Sequence, residues 1–176
     1  MGIRSSVALC AGFAAFVVFS LPNSGVAQAV KASVEQRKGS GLPIPRFASL
    51  RSDEVNVRTG PGTRYPIDWV FKRKGMPIEI VAEYENFRKI RDWQGASGWV
   101  HQSLLSGKRS FIIAAKPANL LKTPATSAEV VAKLEPEVMG EIRSCEGDWC
   151  RVKVAGVSGW LVRTGMWGVY KSEPIN

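Results

Sequence analysis

Histidine is nearly missing from this chain: His101 is the only one in 176 residues, and there are only three cysteines. That shortage bears first on metals, because a structural zinc site needs about four ligands and His101 with the thiols cannot supply them. It bears next on catalysis. No serine sits in a nucleophile elbow, and no glycine-rich loop follows a strand and opens a helix. The one adjacent carboxylate pair, Asp53-Glu54, sits in a turn and reads as a solvated turn. A cysteine–histidine peptidase would need a free thiolate beside an oriented imidazole. The inventory therefore points to a non-catalytic protein with no cofactor and no metal. Long apolar runs are also scarce. Val7 to Leu21 is the one such segment, shorter than the roughly 20 residues of a membrane span. Arg4 precedes it and Ala27-Gln28-Ala29 follows, as in an export signal cleaved after Ala29. Periplasmic or secreted localisation is expected, with no stable membrane span after cleavage.

The other two cysteines stand in Cys145-Glu-Gly-Asp-Trp-Cys150. The spacing puts them on either side of a four-residue turn, where strands of a hairpin would bring them face to face. In an oxidising compartment a disulfide is the default, ahead of a redox pair, which usually has the closer C-x-x-C spacing. The loop it closes is short, so it mainly pins a turn.

What the chain does have is a repeat. Phe87 to Val100, FRKIRDWQGASGWV, alternates polar and apolar residues, turns, and enters a new strand at Gly98-Trp99-Val100. Trp149 to Leu161, WCRVKVAGVSGWL, does the same, with Ser158-Gly159-Trp160 on Ser97-Gly98-Trp99 and Trp149 on Phe87. Around these hairpins the order recurs. Phe47–Leu50, Val55–Arg58, Trp69–Lys72 and Ile78–Val81 read as strands, and His101–Leu105 as a short helical turn. In the second copy Phe111-Ile112-Ile113-Ala114 is expected to match Phe47-Ala48-Ser49-Leu50, and Val131–Leu134 to match Asp68–Phe71. Short strands between glycine and proline turns predict an all-β chain of two tandem small barrels. The expected bounds are 1–29 for the signal peptide, 30–45 for a flexible linker, and 46–110 and 111–176 for the two barrels. At about 60 residues each, near the lower limit for a self-supporting core, the barrels are expected to rely on aromatic residues for much of their burial.

The motifs Val55-Asn56-Val57-Arg58-Thr59-Gly60-Pro61-Gly62, Tyr65-Pro66, Lys74-Gly75 and Gly98-Trp99-Val100 closely resemble the bacterial Src-homology-3-like (SH3b) family. The second copy keeps Asn119, Pro124 and Gly159-Trp160 but has Leu121-Lys122-Thr123 where the family has arginine, a small hydroxyl residue and glycine. The layout resembles small exported proteins of α-proteobacteria. The resemblance implies five- to seven-stranded barrels and binding of cell-wall peptides or glycans.

Aromatic residues are the place to look for a ligand. Tyr65 and Trp69 of the first copy have no aromatic counterpart in the second, where Ala128 and Ala132 stand. A core position would usually keep its bulk, so these two are expected to line a groove. Arg58 and Arg64 are near enough to add guanidinium hydrogen bonds. Trp93, in a turn insertion absent from the second copy, is a further exposed-aromatic candidate. Trp99, Trp160, Trp149 and Phe87 read as barrel residues, and His101 as a polar strand end. Charge is lopsided: Arg46–Ser110 carries 12 basic and 7 acidic residues, Phe111–Asn176 only 8 and 7. Export makes nucleic acid an unsuitable partner. Peptidoglycan or another anionic envelope polymer is the expected one, and docking on an envelope protein as an adaptor or inhibitor is the alternative.

Overall fold

The structure, a computed structural model, describes residues 39–176; the predicted signal peptide and the first part of the predicted linker lie outside them. The described chain is all-β and forms two antiparallel sheets. The first contains β1 (Arg46–Leu50), β2 (Val55–Arg58), β3 (Ile67–Phe71), β4 (Pro77–Tyr84), β5 (Phe87–Arg91), β6 (Ser97–His101) and β7 (Leu105–Ser106), in the order β3-β2-β6-β5-β4-β1-β7. The second contains β8 (Ser110–Ile112), β9 (Ala118–Leu121), β10 (Val130–Leu134), β11 (Met139–Glu146), β12 (Trp149–Val154) and β13 (Val157–Val162), in the order β10-β9-β13-β12-β11-β8. Apart from β7, the two orders are the same, so the repeat read in the sequence is a repeat of topology.

Strand alternation explains both cores. In β2 Val55 and Val57 are fully buried while Asn56 and Arg58 are not, and β12 buries Cys150, Val152 and Val154 between exposed Arg151 and Lys153. Leu50, Ile78, Ile80, Ile90 and Val100 complete the first core. Phe111, Ile113, Leu120, Ile142 and Leu161 do so in the second. Aromatic burial is smaller than expected. All six tryptophans are only half-buried, and the cores are built mainly from β-branched and leucine side chains, whose shape suits a pleated surface.

The expected match of Phe111 to Phe47 is one residue out. Ala48 pairs with Ile78, two residues before Ile80, which faces Ile90. Phe111 pairs with Gly140, two residues before Ile142, which faces Val152. Phe111 is thus the counterpart of Ala48, and a large–small pair in one copy becomes a small–large pair in the other. A one-residue slip turns a strand's side chains to the opposite face. Phe47 accordingly points away from its own core and meets Trp167 edge-on at 4.9 Å and Tyr170 at 4.6 Å.

Those two aromatics belong to the C-terminal segment, which ties the repeats together. Trp167 bridges to Ile112 and Ile175 to Cys145. The Tyr170 hydroxyl donates to Glu79 of β4 at 2.7 Å, and Glu79 in turn accepts from Arg91. Burial, then this bond to a carboxylate, pushes the Tyr170 phenol well above its ordinary value. Arg109 forms a two-pronged pair with Glu173, one bond at 2.9 Å, and donates to the Gly168 carbonyl.

The cysteines are joined, with Cα atoms 4.0 Å apart. Their cross-strand position has an equivalent in the first repeat: Glu83 opposite Arg88, as Cys145 is opposite Cys150. There the two side chains form a buried ion pair, Arg88 Nε to Glu83 Oε1 at 3.1 Å. One copy is stapled covalently and the other electrostatically at the same point. The end of the predicted linker is held on this ion pair. The Ser40 hydroxyl donates to Glu83 at 2.7 Å and Arg46 pairs with the same carboxylate.

Burial opposes ionisation of Glu173, but the bonds from Arg109 outweigh it and hold the carboxyl below its usual range; Arg46 and Ser40 do the same for the buried Glu83. A carboxyl whose folded pKa is depressed contributes stability above its unfolded pKa and loses it as pH falls through the folded value. The thermal midpoint should therefore drop as pH falls from about 5 to about 3. The Glu173→Gln variant should show a smaller drop than the parent, since that carboxyl no longer titrates. Parallel melts at neutral and acid pH check this; an equal drop in both would remove Glu173 from the account.

Candidate functional site

The loop between β2 and β3, residues 59–66, carries the residues that comparison of the copies singled out. Its shape follows from glycine and proline: Tyr65 N–H donates to the Gly62 carbonyl at 3.2 Å and Gly62 N–H to that of Gly60. The Tyr65 ring lies directly over Gly60, where a side chain would collide with it. The ring is half-buried on this floor and half open to solvent. The exposed Arg64 guanidinium stands 5.2 Å from the ring centre, with Nη2 3.4 Å from the Tyr65 hydroxyl. That hydroxyl raises the Arg64 pKa, keeping a fixed positive charge beside an aromatic face.

Arg58 is at the same loop but faces inward along it. Its Nη1 donates to the Tyr65 carbonyl at 2.7 Å and the Thr63 carbonyl at 3.2 Å. Arg58 is therefore a strut that holds Tyr65 in place, a role the sequence reading, which gave it to a ligand, missed. Leu121 takes this position in the second copy, aligned on Trp160 as Arg58 is on Trp99, and it cannot donate to a loop.

Trp69 packs one side against the first core, edge-on to Phe71 at 5.9 Å and close over Gly98. It remains half-buried, so part of the side chain is open to solvent. Trp93 is also half-buried against the first core and does not project as an exposed aromatic. The turn that carries it is organised by buried Asp92, which accepts from the N–H groups of Gln94 and Ala96. The structure thus brings Arg58, Arg64 and Tyr65 together at the β2–β3 loop, places Trp69 on β3 against the first core, and leaves Trp93 in a different turn.

His101 accepts from Ser103 N–H at 3.3 Å and meets Phe87 edge-on, so it caps the 3-10 turn Gln102–Leu104. Among the described residues no group of three or more histidine, cysteine, aspartate or glutamate side chains is placed to hold a metal ion. Among them also, no helix is long and apolar enough to cross a membrane.

Two small antiparallel repeats, each with a Gly-Trp strand paired to the strand that enters a proline-containing loop, are the architecture of the SH3-like class. The chain belongs to the bacterial SH3 domain family, whose model matches it twice, over residues 51–107 and 114–168. It is 27% identical over 125 residues to a Bacillus subtilis protein described as a putative N-acetylmuramoyl-L-alanine amidase, YrvJ. The match covers 65% of this chain and 24% of that protein, so this chain spans about a quarter of the relative's length. Among solved structures it is similar to NlpC2 and NlpC1 of Trichomonas vaginalis, at 12% and 13% identity with TM-scores of 0.34 and 0.31. Each covers 73% of this chain, and about half of the other: 50% for NlpC2 and 48% for NlpC1.

Proposed function

We propose that the protein is an exported cell-wall-binding module that recognises peptidoglycan, stem peptide or glycan, through the β2–β3 loop of its first repeat. The observation that carries this reading is the Arg64–Tyr65 platform: a charged guanidinium over a half-open ring, on a loop braced by Arg58. Such a pair suits a ligand that offers both an apolar sugar or side-chain face and a carboxylate. Family membership and the likeness to a cell-wall amidase, an enzyme named for a bond within that polymer, support the same reading. Trp69, on the strand that follows the loop, is included in the proposed groove as a source of apolar surface. The second repeat, with alanine at both aromatic positions, extends or supports the first.

The test is a pull-down with purified peptidoglycan sacculi at low and moderate salt. Retention should survive moderate salt, and Tyr65→Ala should weaken it about tenfold through loss of stacking and cation contact. Trp69→Phe is preferable to Trp69→Ala, because truncation would open the core on which Trp69 rests. Retention that vanishes with salt would leave only adhesion of a basic surface. Indifference to sacculi together with co-purification of one envelope protein would favour an adaptor.

A further inference from the structure

A second site is built where the two repeats meet. β7 ends at Ser106, β8 begins at Ser110, and the short connection between them roofs a cleft of about 690 Å³. That volume is in the range of small-molecule sites. The first repeat contributes Arg51 and Lys74, the connection Lys108 and Arg109, and the second repeat Ser110 and the Met139–Glu141 edge. Arg51, Lys74 and Lys108 are exposed and form no ion pair among the described residues. The carboxylate at the rim, Glu141, is paired with Arg143 at 2.5 Å and neutralised locally.

Charge alone would be a solvated surface, but the lining is not fully satisfied. Ser110 is 7% exposed, and among the described residues its hydroxyl has no hydrogen-bond partner; neither has the buried Arg109 Nε next to it in sequence. Arg109 gives three of its five N–H groups to Glu173 and Gly168, and its buried Nε is one of the two that remain uncommitted among the described residues. Buried donors without acceptors cost on the order of 1–3 kcal/mol each, so two adjacent ones beside three unpaired cations define a place short of negative oxygen. We infer that this inter-repeat cleft binds an oxyanion ligand of at least two negative charges, a phosphate group or a dicarboxylate. Arg51, Lys74 and Lys108 supply its charge complement. The Ser110 hydroxyl and Arg109 Nε lie buried behind this lining and would reach the ligand, or a water that it fixes, by a turn of the Ser110 and Arg109 side chains on binding. The site is separate from the β2–β3 loop and needs both repeats.

The test uses protein expressed from the full 176-residue frame, in whatever processed form the cell yields, titrated with pyrophosphate and with succinate at constant ionic strength. Amide resonances of Gly75, Lys108 and Ser110 should shift saturably with at least one of the two, which also identifies the source of the oxyanion, while Tyr65 stays still. Lys74→Gln with Lys108→Gln, both exposed, should weaken binding roughly tenfold or more. Ser110→Ala should weaken binding without lowering the melting temperature of the anion-free protein, because it removes an unpartnered hydroxyl. Absence of saturable shifts with both probes would overturn the inference, as would affinity unchanged in the lysine double variant. Loss of sacculus binding in Tyr65→Ala with anion binding intact would separate this site from the proposed wall contact.

Discussion

Gly168→Ala should be among the most damaging single substitutions in the second repeat, lowering stability by about 3 kcal/mol or more. Gly168 has a φ of +126°, a conformation that side-chain-bearing residues rarely adopt. An added Cβ would also run into the Ser110 carbonyl oxygen and lie 3.0 Å from the Phe111 Cα. Both obstacles are backbone, so no rotamer change relieves them. The C-terminal segment would have to lift from β8. With it would go the Trp167–Ile112 bridge, the Arg109 bond to Gly168 and the cover over Phe47. Thermal or urea unfolding followed by tryptophan fluorescence gives the measurement. Gly165→Ala, three residues earlier, is the control. There a Cβ meets only Ala118 Cβ at an ordinary 3.7 Å, so little change is expected. Equal stability of the two variants would mean that the C-terminal segment does not depend on its seat at Ser110.

The second large effect concerns the Phe111–Gly140 pair. A Cβ at Gly140 would lie 2.6 Å from Phe111 Cε1 and 2.7 Å from both the Lys153 carbonyl oxygen and Val154 Cγ2. Gly140→Ala should cost about 1–3 kcal/mol by overpacking. Phe111→Ala, at a fully buried position, should cost about 3–5 kcal/mol through the cavity it leaves. The double variant moves toward the first repeat, where Ala48 lies opposite Ile78. It should therefore be less destabilised than the sum by about 1 kcal/mol or more. Rescue stays incomplete, because the Lys153 carbonyl does not move with the phenylalanine. A urea double-mutant cycle reads the coupling directly. Additivity to within about 0.5 kcal/mol would show that the ring is not what excludes a side chain at Gly140.

Both predictions depend on registers and seats that the linear order of residues hides. What the sequence determined by itself was local. Gly98-Trp99 and Gly159-Trp160, the alternation of Lys89-Ile90-Arg91, and the Gly-Pro turn before Tyr65 specify strands and turns through short-range sterics, and their recurrence announced two copies of one topology. Cys145 and Cys150 were also legible, since a four-residue turn brings its flanks together whatever surrounds it. The Arg64–Tyr65 platform was visible as a difference between copies, because replacement by Ala128 set Tyr65 apart from a core residue.

The tertiary structure decided everything that depends on which face a residue meets or which distant segment covers it. A one-residue shift turned Phe47 outward and Phe111 inward, and only pairing with Ile78 and Gly140 reveals it. Nothing in the linear order marks Glu83 and Arg88 as partners; across a hairpin they occupy the place of the second copy's disulfide. Arg58 became a strut because the loop carbonyls of Thr63 and Tyr65 lie within its reach. The cationic cleft was invisible along the chain, since Lys74 and Lys108 are brought together by closing a barrel and docking its neighbour. Periodicity records the side of a strand that is apolar, but contacts across the fold choose the partner that side meets.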